Sequence, residues 1–151
     1  MAHLNVYPRE ALMGIKFDAI GIFVKDLKKM VEFYRDVLKV DIDWNGQGPM
    51  AEFSHEGIRL MMFERKELEG YLGTGVSYPK ELNGTFELAV DLPKFADVDR
   101  EFERAVSMGA QPIFAPRDEP WGMRSSFIAD PEGNLIEIGS WGKGEEKKAH
   151  D

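Results

Sequence analysis

Two glutamates sit within apolar, alternating stretches: Glu87 in Thr85-Phe86-Glu87-Leu88-Ala89-Val90, and Glu137 in Leu135-Ile136-Glu137-Ile138. A carboxyl group on a partly dry face needs a cation, a donor or a ligand to hold its charge. Two such groups can act as general base and general acid when burial raises the pKa of one of them. Arg59, in Ile58-Arg59-Leu60-Met61-Met62-Phe63, is a third charge in such a setting. It is suited to pair with Glu137 or Glu87, or to offer its guanidinium to an anion. There are no cysteines, and His3, His55 and His150 stand near a terminus or in a turn, so thiolate sites are excluded and no histidine is well placed as a ligand.

The 151 residues suffice for one core of ordinary size. With 27 acidic and 19 basic residues the net charge is -8, which argues against a nucleic-acid surface. No apolar run approaches the length of a membrane span. The first residues, with Pro8, Arg9 and Glu10, lack the continuous apolar core of a signal peptide. A reducing cytoplasm is the simplest setting for a chain without cysteine.

The elements that must carry these side chains follow from periodicity. Lys16 to Val24 alternates as a strand, and Asp26 is placed as an N-cap. Leu27, Met30, Val31, Tyr34, Val37 and Leu38 recur at three and four, which predicts a helix over Leu27 to Lys39. Trp44 to Pro49 reads as a strand end and turn, followed by a hairpin from Met50 to Phe63 about His55-Glu56-Gly57. A charged, glycine-bearing stretch, 65–83, reads as a connector. The pattern then restarts. A strand over Gly84 to Val90 precedes a helix with Phe95, Val98, Phe102, Ala105 and Val106 on one face, ended by Gly109. A strand from Ala110 to Ala115 and a loop from Pro116 to Gly122 lead to a second hairpin, Arg124 to Trp141, about Asp130-Pro131-Glu132-Gly133. Strand–helix–strand–hairpin therefore occurs twice, with Val24 matching Val90 and Gly57 matching Gly133. The division is an N-terminal arm (1–14), one domain of two units (15–64 and 84–141) and a mobile Lys/Glu-rich tail (142–151).

This layout resembles the vicinal-oxygen-chelate superfamily of glyoxalase, bleomycin-resistance and ring-cleaving dioxygenase proteins. The phrases that carry the likeness are Ile22-Phe23-Val24-Lys25-Asp26-Leu27, Phe33-Tyr34, Trp121-Gly122 and, most specifically, Asp130-Pro131-Glu132-Gly133-Asn134-Leu135-Ile136-Glu137-Ile138. The resemblance implies an α+β fold. Two tandem βαβββ modules would form a curved, open mixed sheet around a ligand cavity, with helices outside, often in a homodimer. It also implies a metal held by one residue on the first and last strand of each module. Those positions fall on Ala19, Met61, Thr85 and Glu137. Only Glu137 is a good ligand for a hard divalent ion, so the expectation is no family-type metal and no cofactor.

Alternation assigns the even positions (Ile20, Ile22, Val24, Ile58, Leu60, Met62, Phe86, Leu88, Val90, Ile136, Ile138) to the helix side. The odd positions then face the cavity. Phe17, Phe23, Arg59, Met61, Phe63 and Thr85 are its expected ligand-binding residues, with Trp121 at the rim and Glu137 and Glu87 as the candidate catalytic pair. The function read from this face is the binding of a small, partly aromatic molecule without a family-type metal. The other reading is a lyase, isomerase or dioxygenase-like enzyme that uses an unconventional divalent metal set or the two glutamates as acid and base.

Overall fold

The computed structural model describes residue 15, residues 17–55 and residues 57–145. The N-terminal arm, His3, His150, Lys16, Glu56 and the end of the tail lie outside the described residues. No helix among those described is long and apolar enough to cross a membrane.

The first unit has β1 (Ala19–Val24), helix α1 (Leu27–Glu32) continued by a π-helical turn (Phe33–Val37), β2 (Met50–His55) and β3 (Ile58–Glu64). Helix α2 (Arg65–Leu72) follows. The second unit has β4 (Asn83–Asp91), α3 (Phe95–Ser107), β5 (Gln111–Asp118), β6 (Arg124–Ala129) and β7 (Asn134–Ser140). Strands are ordered β1-β3-β2 in one sheet and β4-β7-β6-β5 in the other. In each unit the first strand runs parallel to the last, and the remaining pairings are antiparallel. This is the expected α+β architecture of tandem units with open mixed sheets.

Two local expectations need correction. The helix predicted over Leu27 to Lys39 is α-helical only to Glu32, and Lys39 takes a left-handed φ of 60°. The π turn has a tertiary cause. It accompanies a hydrogen bond from the Tyr34 hydroxyl to Asp130 Oδ2 (2.9 Å) and one from Arg104 Nη2 to the Val37 carbonyl, both into the second unit. No strand forms ahead of β2. Trp44 Nε1 donates to the Gln47 carbonyl and Gln47 N to Asn45 Oδ1, both at 2.9 Å, so this segment bonds to itself. The connector holds α2, which buries only Leu68 and ends at Gly73 in the left-handed conformation. The start of the tail is docked: Glu145 Oε1 accepts from Phe95 N (2.7 Å) and Gly144 N donates to the Pro93 carbonyl (2.8 Å).

The helix-side assignment holds where the core is deepest. Ile22, Val24, Met62, Ile136 and Ile138 are buried with Leu27, Met30, Val31 and Val98 in one cluster that joins the units. Ile20 and Ile58 are exposed instead, because they stand at the starts of β1 and β3, at the sheet end remote from the β1–α1 junction. Asp26 caps α1 as expected, its Oδ1 accepting from Lys29 N at 3.0 Å.

The β6–β7 turn is the joint between units. Asp130, almost fully buried, accepts from Tyr34 Oη, Glu132 N (2.9 Å), Asn134 N (3.0 Å) and Asn134 Nδ2 (2.8 Å). Glu132 reaches back to the β1–α1 junction, accepting from Lys25 N (2.7 Å) and Asp26 N (3.0 Å). Burial and the Asp130 carboxylate push the Tyr34 hydroxyl well above its ordinary pKa, so it donates across the whole working range of pH.

Candidate functional site

β7 holds Glu137 between Ala89 of β4 and Phe127 of β6. Its alternation buries Ile136 and Ile138 under α3 and turns Glu137 to the opposite face, where it is half-buried. Burial raises its pKa above the ordinary carboxyl value, and the charges of Glu87 and Glu119 raise it further. Among the described residues no hydrogen bond or ion pair reaches its carboxyl group. Glu87, opposite Leu135, is exposed on the same face.

Glu119 belongs to this site, where alternation alone had assigned only Glu87 and Glu137. Its Oε1 accepts from Arg117 Nε and Ser125 Oγ, both at 2.8 Å. The bond from Arg117, then that from Ser125, hold its pKa below the ordinary value. One carboxylate is thus kept charged by two donors while its neighbour Glu137 is pushed towards the neutral form. Phe114 and Phe127 extend the face as a tilted aromatic pair 5.0 Å apart, with the Arg117 guanidinium 4.0 Å from the Phe114 ring centre. By sequence Arg117-Asp118-Glu119 falls in a loop from Pro116 to Gly122, whereas β5 continues to Asp118 and carries Glu119 to this face.

Several expected site residues stand elsewhere. Arg59 pairs with neither Glu137 nor Glu87. Its Nη2 bonds Asp18, just ahead of β1, and its Nη1 bonds Glu52 of β2 at 3.0 Å. Met61 and Phe23 close over Gly21, each 4.0 Å from where a side chain there would begin. Phe63 lies beside Phe23 in register. Phe17 precedes β1 and is 99% exposed. Thr85 is exposed in the irregular start of β4, its N–H bonded to Asn83 Oδ1 at 3.1 Å. Trp121 is 62% exposed at the β5–β6 turn. The structure therefore gathers Phe23, Met61 and Phe63 on one sheet and Glu87 and Glu137 on the other. Among the described residues no strand pairs across the two sheets.

Two grooves lie at the joint between the units, away from these faces. One of about 1030 Å³ runs past Lys25, Lys28, Arg35, Trp44 and Glu132, the other of about 780 Å³ past Arg65, Tyr78, Glu81 and Glu132. None of the expected site residues on the odd faces lines either groove.

The sequence profile of the Glyoxalase/Bleomycin resistance protein/Dioxygenase superfamily matches residues 16–138. The chain belongs to this superfamily. The uncharacterized protein YraH of Bacillus subtilis (strain 168) is 30% identical over 127 residues, covering 82% of this chain and 97% of YraH. The crystal structure of a glyoxalase-related enzyme from Fulvimarina pelagi superposes with a TM-score of 0.72 at 22% identity, over 83% of this chain and 87% of that one. A glyoxalase/bleomycin resistance protein/dioxygenase from Nocardioides gives 0.72 at 21% identity, over 94% and 95%. These two structures show that the fold is shared.

For a superfamily member, the residues at the strand positions that hold a metal do not fit one. Ala19 has no donor atom, Met61 offers a thioether over Gly21, and Thr85 is a weak neutral donor in the irregular part of its strand. Among the described residues, no three His, Asp or Glu side chains gather closely enough to hold an ion. Glu137 is the one hard ligand of the four.

Proposed function

We propose that this superfamily member binds a small, partly aromatic molecule against the odd face of its second sheet, with Glu137 as the polar anchor. The observation that carries this reading is the state of that carboxyl group: half-buried beside Phe127, facing two other carboxylates, and with no donor of its own. Such a group is partly desolvated, takes no hydrogen bond from the protein and keeps contact with solvent, so a ligand donor can take the place of its water. Phe114 and Phe127 supply a flat apolar wall, and the neighbouring carboxylates favour a ligand that carries a donor or a positive charge.

A homodimer suits this reading. Among the described residues β1 and β4 each have one strand neighbour, which leaves an edge on each sheet, and Phe17 and Phe23 are exposed beside one of them. A second copy that covers these edges would bring an apolar first-sheet face to the carboxylates of the second sheet.

One observation favours a catalytic role for the same residues. Glu119 is held ionised while Glu137 is pushed towards protonation, the split that acid–base chemistry uses. In that reading Glu137 moves a proton on the bound molecule without a metal.

The test is a binding screen of small aromatic amines and phenols by protein-observed NMR, repeated on Glu137→Gln. Loss of one charge-assisted hydrogen bond is expected to weaken a hit by about tenfold to a hundredfold. Hits that leave the Phe127 and Glu137 resonances unmoved, or that bind Glu137→Gln equally well, would refute the assignment. Size-exclusion chromatography with light scattering reads the dimer, and a monomer at high concentration would remove it.

A further inference from the structure

The β5–β6 turn is tight: Gly122 N donates to the Glu119 carbonyl at 3.0 Å, and Glu119 N to the Met123 carbonyl at 2.7 Å. Trp121 is left at its exposed tip, whereas Met123 turns inward and is buried. The Met123 methyl group lies directly over Gly139 of β7, where even a single carbon on Gly139 would collide with it. The same point is 3.6 Å from Glu137 Oε1. Gly139 is not among the glycines with positive φ, so its backbone does not require glycine. What the missing side chain provides is the space that Met123 fills.

We infer that Met123, seated on Gly139 beside Glu137, is a specificity-determining wall of the Glu137 site and sets the width of the aromatic ring accepted there. The inference rests on the ligand-binding reading of that face. A thioether suits the task, because it packs against aromatic edges and its unbranched chain fills an irregular gap. The ligand class that follows is a single aromatic ring bearing a donor, such as a protonated amine, directed at Glu137. A fused two-ring system meets the Met123 methyl group.

The experiment is calorimetric titration of benzylamine and 1-naphthylmethylamine into the wild-type chain, Met123→Ala, Met123→Leu, Gly139→Ala and Glu137→Gln. Wild type is expected to prefer benzylamine by about tenfold or more, the scale on which apolar pockets discriminate small changes in size. Met123→Ala should reverse the order. Met123→Leu, which conserves volume, should keep it and shows that the site is intact. Gly139→Ala should weaken both ligands, because the added carbon itself stands 3.6 Å from Glu137 Oε1 and displaces the methyl group. A ratio that stays unchanged in Met123→Ala, while Glu137→Gln weakens both amines, overturns the wall and leaves the site standing. If wild type takes neither amine, or Glu137→Gln binds both as well as wild type does, the site reading fails and the wall falls with it.

Discussion

On β1 and β3 the one charged residue of the odd face is Arg59, and it is satisfied twice over, by Asp18 and by Glu52. On β4 and β7 the equivalent face carries Glu87, Asp91 and Glu137, and the charges that shift Glu137, those of Glu87 and Glu119, have its own sign. The backbone plan is duplicated, down to Gly57 and Gly133, which both take a φ of +86°. The chemistry is not duplicated. The first sheet has settled its charge locally and offers Phe23, Met61 and Phe63 as wall. The second keeps a half-buried carboxyl group that no protein donor reaches among the described residues, which is the feature a ligand can use. The β–α junctions differ in the same way. Glu132 of the second unit closes the first junction, and Glu145 of the chain's own tail closes the second.

The most damaging way to break this arrangement is at Asp130. It is buried and takes four hydrogen bonds, one from the first unit through Tyr34. Asp130→Ala should cost about 3–5 kcal/mol, because it leaves the Tyr34 hydroxyl and the Asn134 donors without an acceptor. Tyr34→Phe removes only the link between units, and should cost about 1 kcal/mol. Urea denaturation of both variants checks the ranking. Equal costs would mean that the turn serves its own hairpin and does little to join the units.

That joint explains which parts of the fold were legible in the sequence. Alternation located Ile22, Val24, Met62, Ile136 and Ile138 in the core, and the cap at Asp26 was visible from residue type alone. These depend on neighbours a few residues apart. The π turn depends on Asp130 and Arg104, which lie 96 and 67 residues from their partners. The partners of Arg59 depend on strand register, since Glu52 comes beside it only when β2 folds back on β3. Glu119 entered the site because β5 runs on past Ala115 to Asp118. Helix α2 was hidden because Leu68 is the only residue it buries. The Phe23–Met61–Phe63 and Glu87–Glu137 groupings were readable from alternation, whereas the absence of pairing between the two sheets was not.

A finer test of the duplication uses its two matched glycines. Either Gly57→Ala or Gly133→Ala must hold a side chain at φ +86°, which costs about 1 kcal/mol or somewhat more. Around Gly57 the space is open, so the cost should end there. At Gly133 the added carbon would lie 2.5 Å from the Glu81 carbonyl oxygen, which is backbone, and Asn83 N already bonds the Gly133 carbonyl at 2.8 Å. Gly133→Ala should therefore lower the melting temperature further than Gly57→Ala does. Matching shifts would show that 81–83 moves aside easily and does not hold the second hairpin.

The smallest effect, and the one most specific to the second face, lies in pH. The pKa of Glu137 is raised in the folded chain, so its contribution is fully present where the group is protonated in both states, below about pH 4.5. It is lost as pH rises through the raised folded value. The pKa of Glu119 is depressed, so its contribution is present at neutral pH and lost as pH falls through the depressed folded value. Glu137→Gln should accordingly match wild type in acid and gain on it towards pH 7. Glu119→Gln should match wild type only in strong acid and fall behind it at pH 7. Melting temperatures across this range separate the two, since the curves must diverge in opposite directions. Parallel curves would mean that Glu137 is fully hydrated, and would remove the partly desolvated carboxyl group on which the contrast between the two sheets rests.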